Sequence, residues 1–572
     1  MALVPGLPSP RAAGSGGRLL LLRAGAVLGT SVVVLVPLGI VFYQAFLDAP
    51  FFQPNAKLSL DAFRFVLADP DFHRALWVTV VVAAGMTAIA VPVGTALALL
   101  VVRTDLPGRR AVEPWLLVPM LVSPVVLAFG YVVAAGPVGF LSIPVREALG
   151  WLPWDVYSLP SLIVVAGLGH APHVYLYAAS ALRSVGSDLE DAARVAGAGP
   201  IRVAFEVTLP LVRPAVLYGG VLVFFLGFEL FGLPLVLGDP EGLVVLSTYL
   251  YKLTNKLGVP SYQLMAVVAV VIVGIAFPLV WLQRRLLGSA GRFVTMTGKG
   301  QRHAALPLGR WRFPALVAVL AYVAVAVALP LAGVFLRSVV TSWGEGIRLR
   351  EVLTLDNFRD LLDYPNLVRG IGNTVLIGVV GGAVAVALYA AVGLAGHRWR
   401  SGWARWLEYL VLVPRGMPGL VAGLAFLWVF LFVKPLAPIR STLVSVWLAY
   451  SVVWFAYGMR FISAALLQVG PELEEAARVA GASPARTLRD VTLPLVRFGL
   501  LGSWLMILLT FVREYSTGVY LLGPGTEVIG SLIVSMWGTG AVDTVAALSV
   551  VNVLLVAAGL GAALRLGVRL DG

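Results

Sequence analysis

Residues 188–213 read DLEDAARVAGAGPIRVAFEVTLPLVR, and residues 472–497 read ELEEAARVAGASPARTLRDVTLPLVR. Eighteen of these 26 positions are identical at a constant offset of 284 residues, without a gap. Self-similarity of this length marks an internal duplication, and it must be read before any local feature. Each copy follows a set of four long apolar runs and precedes two more, so the chain reads as two halves.

Working outward, apolar runs of about 20 residues, enough to cross a hydrocarbon core, lie near 24–46, 76–102, 114–138, 159–182, 214–237 and 263–283. A second six lie near 313–336, 371–395, 408–432, 441–465, 498–522 and 541–564. The expectation is an all-α polytopic membrane protein with about twelve spans in two six-helix repeats. Six is even, so both halves enter the membrane in the same direction, as a parallel pseudo-dimer about an axis along the membrane normal. The runs are continuous, unlike the ten-residue alternation of a membrane β-barrel.

Composition agrees. Of 572 residues 59% are hydrophobic and 12% charged, against about 25% charged in a soluble domain. This excludes a soluble enzyme and a disordered chain. Cysteine is absent, which excludes disulfide frameworks and thiolate-held metals. The five histidines form no metal-ligand spacing, and no metal site is expected; His170 and His173 read as packing or hydrogen-bonded residues. The net charge of +13 is explained by basic loops on one membrane face rather than by nucleic-acid binding. The connection 284–312 alone holds seven basic residues and no acid. Orientation by such loops puts both termini and the duplicated segments in the cytoplasm. Arg11, Arg18 and Arg23 precede a first apolar run too long for a signal-peptide core, so 1–23 is a cytoplasmic tail before an uncleaved span. The organisation is then a first half over 24–283 with its loop at 184–213, a basic linker over 284–312, and a second half over 313–572 with its loop at 468–497.

The duplicated loop predicts a short helix. Ser187 and Glu190 have capping-box spacing, and Gly470-Pro471 stand at the same point of the second copy. Acids then crowd the first turn, small residues follow, and Pro200 and Pro484 are expected to end the helix. Such a small-faced helix fits a slot on a cytoplasmic partner; a lone copy could equally be an amphipathic helix lying on the membrane.

The pattern Glu-Ala-Ala, three residues, Gly, nine residues, Ile/Val, one residue, Leu-Pro resembles the coupling loop of the type I permease subunits of ATP-binding-cassette importers. It falls here on Asp191-Ala192-Ala193, Gly197, Val207 and Leu209-Pro210, and on Glu475-Ala476-Ala477, Gly481, Val491 and Leu493-Pro494. The first copy departs from the pattern with Asp191 for Glu. The resemblance implies a bacterial inner-membrane subunit whose two loops each dock on one ATP-binding subunit, most simply a homodimer. It also implies a periplasmic or lipid-anchored binding protein that delivers the solute. No G-x-x-x-x-G-K-[ST] stretch occurs, so ATP and Mg belong to the partner and this chain carries no catalytic residue or cofactor. A proton-coupled twelve-span secondary transporter is the rival class, and it does not call for the duplicated loop.

Four charges fall inside apolar runs, Glu229, Arg415, Arg513 and Glu514, and such charges are functional candidates by default. Either they line the pathway or its gate, or they pair internally. Around them, Phe228-Glu229-Leu230, Leu237-Gly238-Asp239-Pro240 and Phe511-Val512-Arg513-Glu514-Tyr515-Ser516 resemble fused permeases of ferric-iron importers. Fused permeases for thiamine, phosphonate and other small solutes look similar, so iron is the first expectation and those cargoes the alternatives.

Overall fold

A computed structural model describes residues 13–184, 188–255, 261–290, 305–399 and 401–565. Arg11, Ser187 and much of the 284–312 linker lie outside the described residues. Within them the chain is helical, and only isolated β-bridges occur. Among the described residues nine helices are long and apolar enough to cross a membrane, and three further helix pairs are bent at a short break. Counting each pair once gives the twelve expected runs.

The breaks correct the expectation of continuous spans. The third span of each half is Arg109–Leu121 with Pro124–Ala135, bent by 103°, and Gly402–Gly416 with Gly419–Phe432, bent by 108°. Pro124 and Pro418 sit at the breaks, where a proline removes a backbone donor and disfavours helix in the residue before it. Aligning Val118-Pro119 with Val413-Pro414 places both breaks in register at an offset of 295. The fourth span of the second half, Leu443–Val453 with Phe455–Leu467, bends by 58°, whereas its counterpart Leu159–Ser184 is continuous.

The fifth spans repeat residue for residue. Helices Leu209–Glu229 and Leu493–Arg513 are each 21 residues long and lie 284 apart. Each is preceded by a π-turn, Ala204–Thr208 and Leu488–Thr492. Pro210 and Pro494 have no N–H for the carbonyl four residues back, and the wider turn lets the preceding leucine donate five back instead. Both helices stop short of the expected ends at 237 and 522. Pro234 cannot bond the Leu230 carbonyl, and Glu514 leaves the helix to accept the Thr517 amide.

In each half the second, fourth and fifth spans pack together. A Cβ on Gly94 of the second span would meet the Ala171 carbonyl at 2.5 Å, so only glycine permits that approach to the fourth span. The first span of each half crosses to the other half. Tyr131 donates to Val325 O (2.9 Å) and Tyr322 donates to Leu168 O (3.1 Å), while Arg23 Nε donates to Ala395 O (3.3 Å). The halves are thereby interlocked rather than tethered.

Candidate functional site

The duplicated loops carry helices Asp188–Val195 and Pro471–Val479. They end by a shared device. Gly197 and Gly481 have φ of 87° and 83°, a left-handed conformation that glycine adopts without steric cost. Their amides bond Arg194 O and Arg478 O, and the next amides bond Ala193 O and Ala477 O, which is a Schellman motif. A Cβ at either glycine would meet nothing within 4 Å. The glycine is therefore required by the turn. Pro200 and Pro484, expected to end these helices, instead open the next ones, Pro200–Val203 and Pro484–Thr487, as suits a first-turn proline.

The site that sequence reading missed is the underside of each loop helix. The capping box with Ser187 lies outside the described residues; the Glu190 side chain is fully buried and accepts Arg103 Nη2 (2.6 Å), Arg103 Nε (3.2 Å) and Thr208 Oγ1 (2.7 Å). Arg103 ends the second span and Thr208 begins the fifth. Glu474, 284 residues on, accepts Arg398 Nε (3.2 Å), His397 Nε2 (3.2 Å) and Thr492 Oγ1 (3.2 Å). Each loop helix is thus clamped by one carboxylate to two spans. The signal was present in the sequence: Glu190/Glu474 and Thr208/Thr492 are identical pairs at the repeat offset, and Arg103/Arg398 match at the offset of 295.

The two clamps differ in burial. The Arg103 and Glu190 side chains are 3% and 0% exposed, whereas Arg398 is 41% exposed. Burial alone raises the Glu474 carboxyl, but Arg398, His397 and Thr492 outweigh it and hold it below the ordinary carboxylate range. A carboxyl depressed in the folded state stabilises above the unfolded value, and that contribution is lost as pH falls through the folded value. Acidification from about pH 5 to about pH 3 is therefore expected to loosen the second loop. Limited proteolysis between Leu466 and Thr492 should accelerate over that interval, and an unchanged cleavage rate would contradict the clamp.

The outer face of each helix is open. Asp191, Ala192, Glu475 and Ala476 are exposed, and Val195 and Val479 are each 90% exposed. Leu209-Pro210 and Leu493-Pro494 form the first turn of the fifth spans rather than part of that face.

The four intramembrane charges converge where the halves meet. The repeat register makes Glu229 the counterpart of Arg513, each closing its helix, and makes Arg415 the counterpart of Met120 at the third-span break. Glu514 is the counterpart of Leu230. Arg513 of the second half donates Nη1 to Met120 O of the first. Reciprocally, Arg415 of the second half lies within electrostatic reach of Glu229 of the first. None of the four makes an ion pair within 4.0 Å among the described residues. Glu514 is saturated by neutral donors: Trp454 Nε1 (3.0 Å), Ser516 Oγ (2.7 Å), Thr517 N (3.0 Å) and Thr517 Oγ1 (3.2 Å). Among the described residues Glu229 accepts no hydrogen bond, and Arg415 Nε is buried without one.

Aromatic groups surround Arg415. Its guanidinium lies 5.8 Å over the Tyr457 ring, and Tyr177 and Tyr218, edge-on to each other at 4.6 Å, are also close to it. Tyr457 keeps 37% exposure although it lies midway along its span. His170 and His173 stack at 5.4 Å, with His170 Nδ1 on the Ala166 carbonyl (2.8 Å). Among the described residues no three His, Asp or Glu groups gather as a metal site.

The comparisons bear on this architecture. The putative ferric transport system permease protein FbpB 1 of Haemophilus influenzae is 24% identical over 70% of this chain and 62% of its own. The sulfate transport system permease protein CysW of Escherichia coli is 34% identical over 36% of this chain and 66% of its own. This chain thus spans less than two thirds of either of those relatives. The probable ABC transporter permease protein y4fN of Sinorhizobium fredii is 27% identical over 79% of this chain and 80% of its own. The family model described as binding-protein-dependent transport system inner membrane component matches residues 90–290 and again residues 383–570. Both clamped loops fall inside the matched regions, one in each, so this chain belongs to that family of inner-membrane permeases and carries its domain twice.

Proposed function

We propose that this chain supplies both halves of the translocation pathway of an ATP-driven importer, with each loop helix seated on a separate ATP-binding subunit. The observation that carries the reading is the duplicated loop, clamped beneath by Glu190 or Glu474 and open above at Val195 or Val479. A helix held to two spans, with Val195 or Val479 and Asp191 or Glu475 on its free face, transmits a push from a partner into the membrane. A binding protein on the opposite face delivers the solute, and both termini lie on the loop side.

Ferric iron is the cargo this reading favours, supported by the fused ferric relatives that align across both halves. A small oxyanion is the second reading. It is favoured by Arg415 and Arg513 at the meeting of the halves, where an anion finds guanidinium groups that no carboxylate neutralises at contact distance. The test is reconstitution. The chain alone is expected to turn over no ATP, and the ATP-binding subunit with loaded binding protein should restore turnover and uptake. Uptake of labelled ferric iron supports the first cargo, uptake of labelled sulfate or molybdate the second. ATP hydrolysis by the chain alone would contradict the division of labour.

A further inference from the structure

Beside the first clamp lies a basic cavity of about 260 Å³, lined by Arg103, Arg109, Arg110, Glu113, Arg183 and Ala305. Four guanidinium groups face one carboxylate. Glu113 is already held by Tyr175 (2.7 Å) and Arg183, and Arg103 by Glu190. Arg109 donates only to the Thr104 carbonyl (2.9 Å), and exposed Arg110 has no side-chain partner among the described residues. The linker closes one wall, with Leu306 N on Arg103 O (2.8 Å) and Leu308 N on the Asp105 carboxylate (2.9 Å).

The duplication shows that the fold does not require this cavity. At the repeat offsets the second half keeps Arg398, Arg405 and Glu408 but has Ala404 for Arg109 and Leu467 for Arg183. Two of the four basic walls are specific to the first half.

A second observation points to the ligand. An apolar cleft of about 360 Å³ lies between the second span at Val93–Leu100, Leu168 and the seventh span at Ala318–Val325. Leu97 and Arg103 are six residues apart on one helical run, which is about 9 Å along the axis. A basic cavity at the membrane edge, continued inward by an apolar cleft, has the polarity of a lipid molecule. We propose that an anionic glycerophospholipid of the loop-side leaflet binds here. Its phosphate lies among Arg109, Arg110 and Arg183, and one acyl chain lies in the cleft. Because Arg103 is both a wall of the cavity and the partner of Glu190, the bound lipid abuts the first clamp and has no counterpart at the second. The inference is independent of the cargo.

The test uses the purified chain in nanodiscs of phosphatidylcholine alone or mixed with phosphatidylglycerol, read by native mass spectrometry and thermal unfolding. Wild type is expected to retain phosphatidylglycerol and to melt higher in its presence. Arg110→Gln should weaken retention about five-fold, and Arg109→Gln with Arg110→Gln further, at roughly one such factor per arginine. Ala318→Trp, which fills the cleft from the seventh span, should lose the lipid while melting normally in phosphatidylcholine. Arg405→Gln, the second-half counterpart, should behave as wild type. Equal retention of both lipids by wild type, or undiminished retention by the double variant, overturns the proposal. So does stabilisation by inorganic phosphate alone without lipid preference, which would assign the cavity to a free anion.

Discussion

Glu190→Ala is expected to be among the most destabilising single changes outside the span interiors, and to cost more than Glu474→Ala. Removing one partner of a buried ion pair costs about 3–5 kcal/mol, because the other charge is left without it. The Arg103–Glu190 pair meets that condition at 3% and 0% exposure, and Thr208 loses its acceptor as well. Arg398 at 41% exposure is relieved by water, so the second clamp should lose less. Thermal unfolding in detergent orders the two; equal or negligible shifts would contradict the burial argument. A structural role alone predicts that stability and transport recover together. Replacing a buried pair with apolar residues of similar size is often neutral or stabilising, so Arg103→Met with Glu190→Leu should regain stability. If the clamp positions the loop helix, this double variant should still hydrolyse ATP with poor coupling to uptake. Full transport would show that the clamp serves folding only.

Glu229→Gln and Glu514→Gln should separate cleanly, although both acids lie at the ends of the fifth-span helices. Glu514 accepts four hydrogen bonds that build the turn after the fifth span. A hydrogen bond to a charged group contributes about 1.5–3 kcal/mol, and an amide nitrogen cannot accept, so Glu514→Gln should melt early and express poorly. Glu229 has no such bonds to lose. Its replacement should leave melting unchanged while uptake changes in the direction set by cargo charge. Loss of a negative charge beside Arg415 slows a cation and eases an anion. Unchanged uptake in Glu229→Gln would remove it from the pathway, and an early melt would make it structural.

The fold was legible in the sequence because the repeat and the apolar runs are long, and length is what a membrane span demands. The 103° and 108° breaks were not legible. Pro124 and Pro418 sit inside runs apolar on both sides, and a membrane helix often tolerates proline when neighbours satisfy the freed carbonyl; here Arg513 does so at Met120. Counting from Pro210 and Pro494 puts Glu229 at 19 residues and Glu514 at 20, so the two acids are one residue out of register. The helices, 21 residues each, fix the true pair as Glu229 and Arg513. The clamp was hidden for another reason. A glutamate near a helix start reads as a cap, and its partner Arg103 lies 87 residues away on another span. Gly197 and Gly481 were legible as small residues of the loop, but the positive φ that calls for glycine there was not.

The central claim is that both loop helices present one face to ATP-binding subunits. The chain contains no cysteine, so Val195→Cys and Val479→Cys each place a single thiol on that face without background. In the assembled transporter, both variants should crosslink to an ATP-binding subunit through a short bifunctional reagent, to similar extents. A thiol at Leu97, inside the second span, should not. Crosslinking from one loop alone, or from neither while uptake persists, would contradict the account.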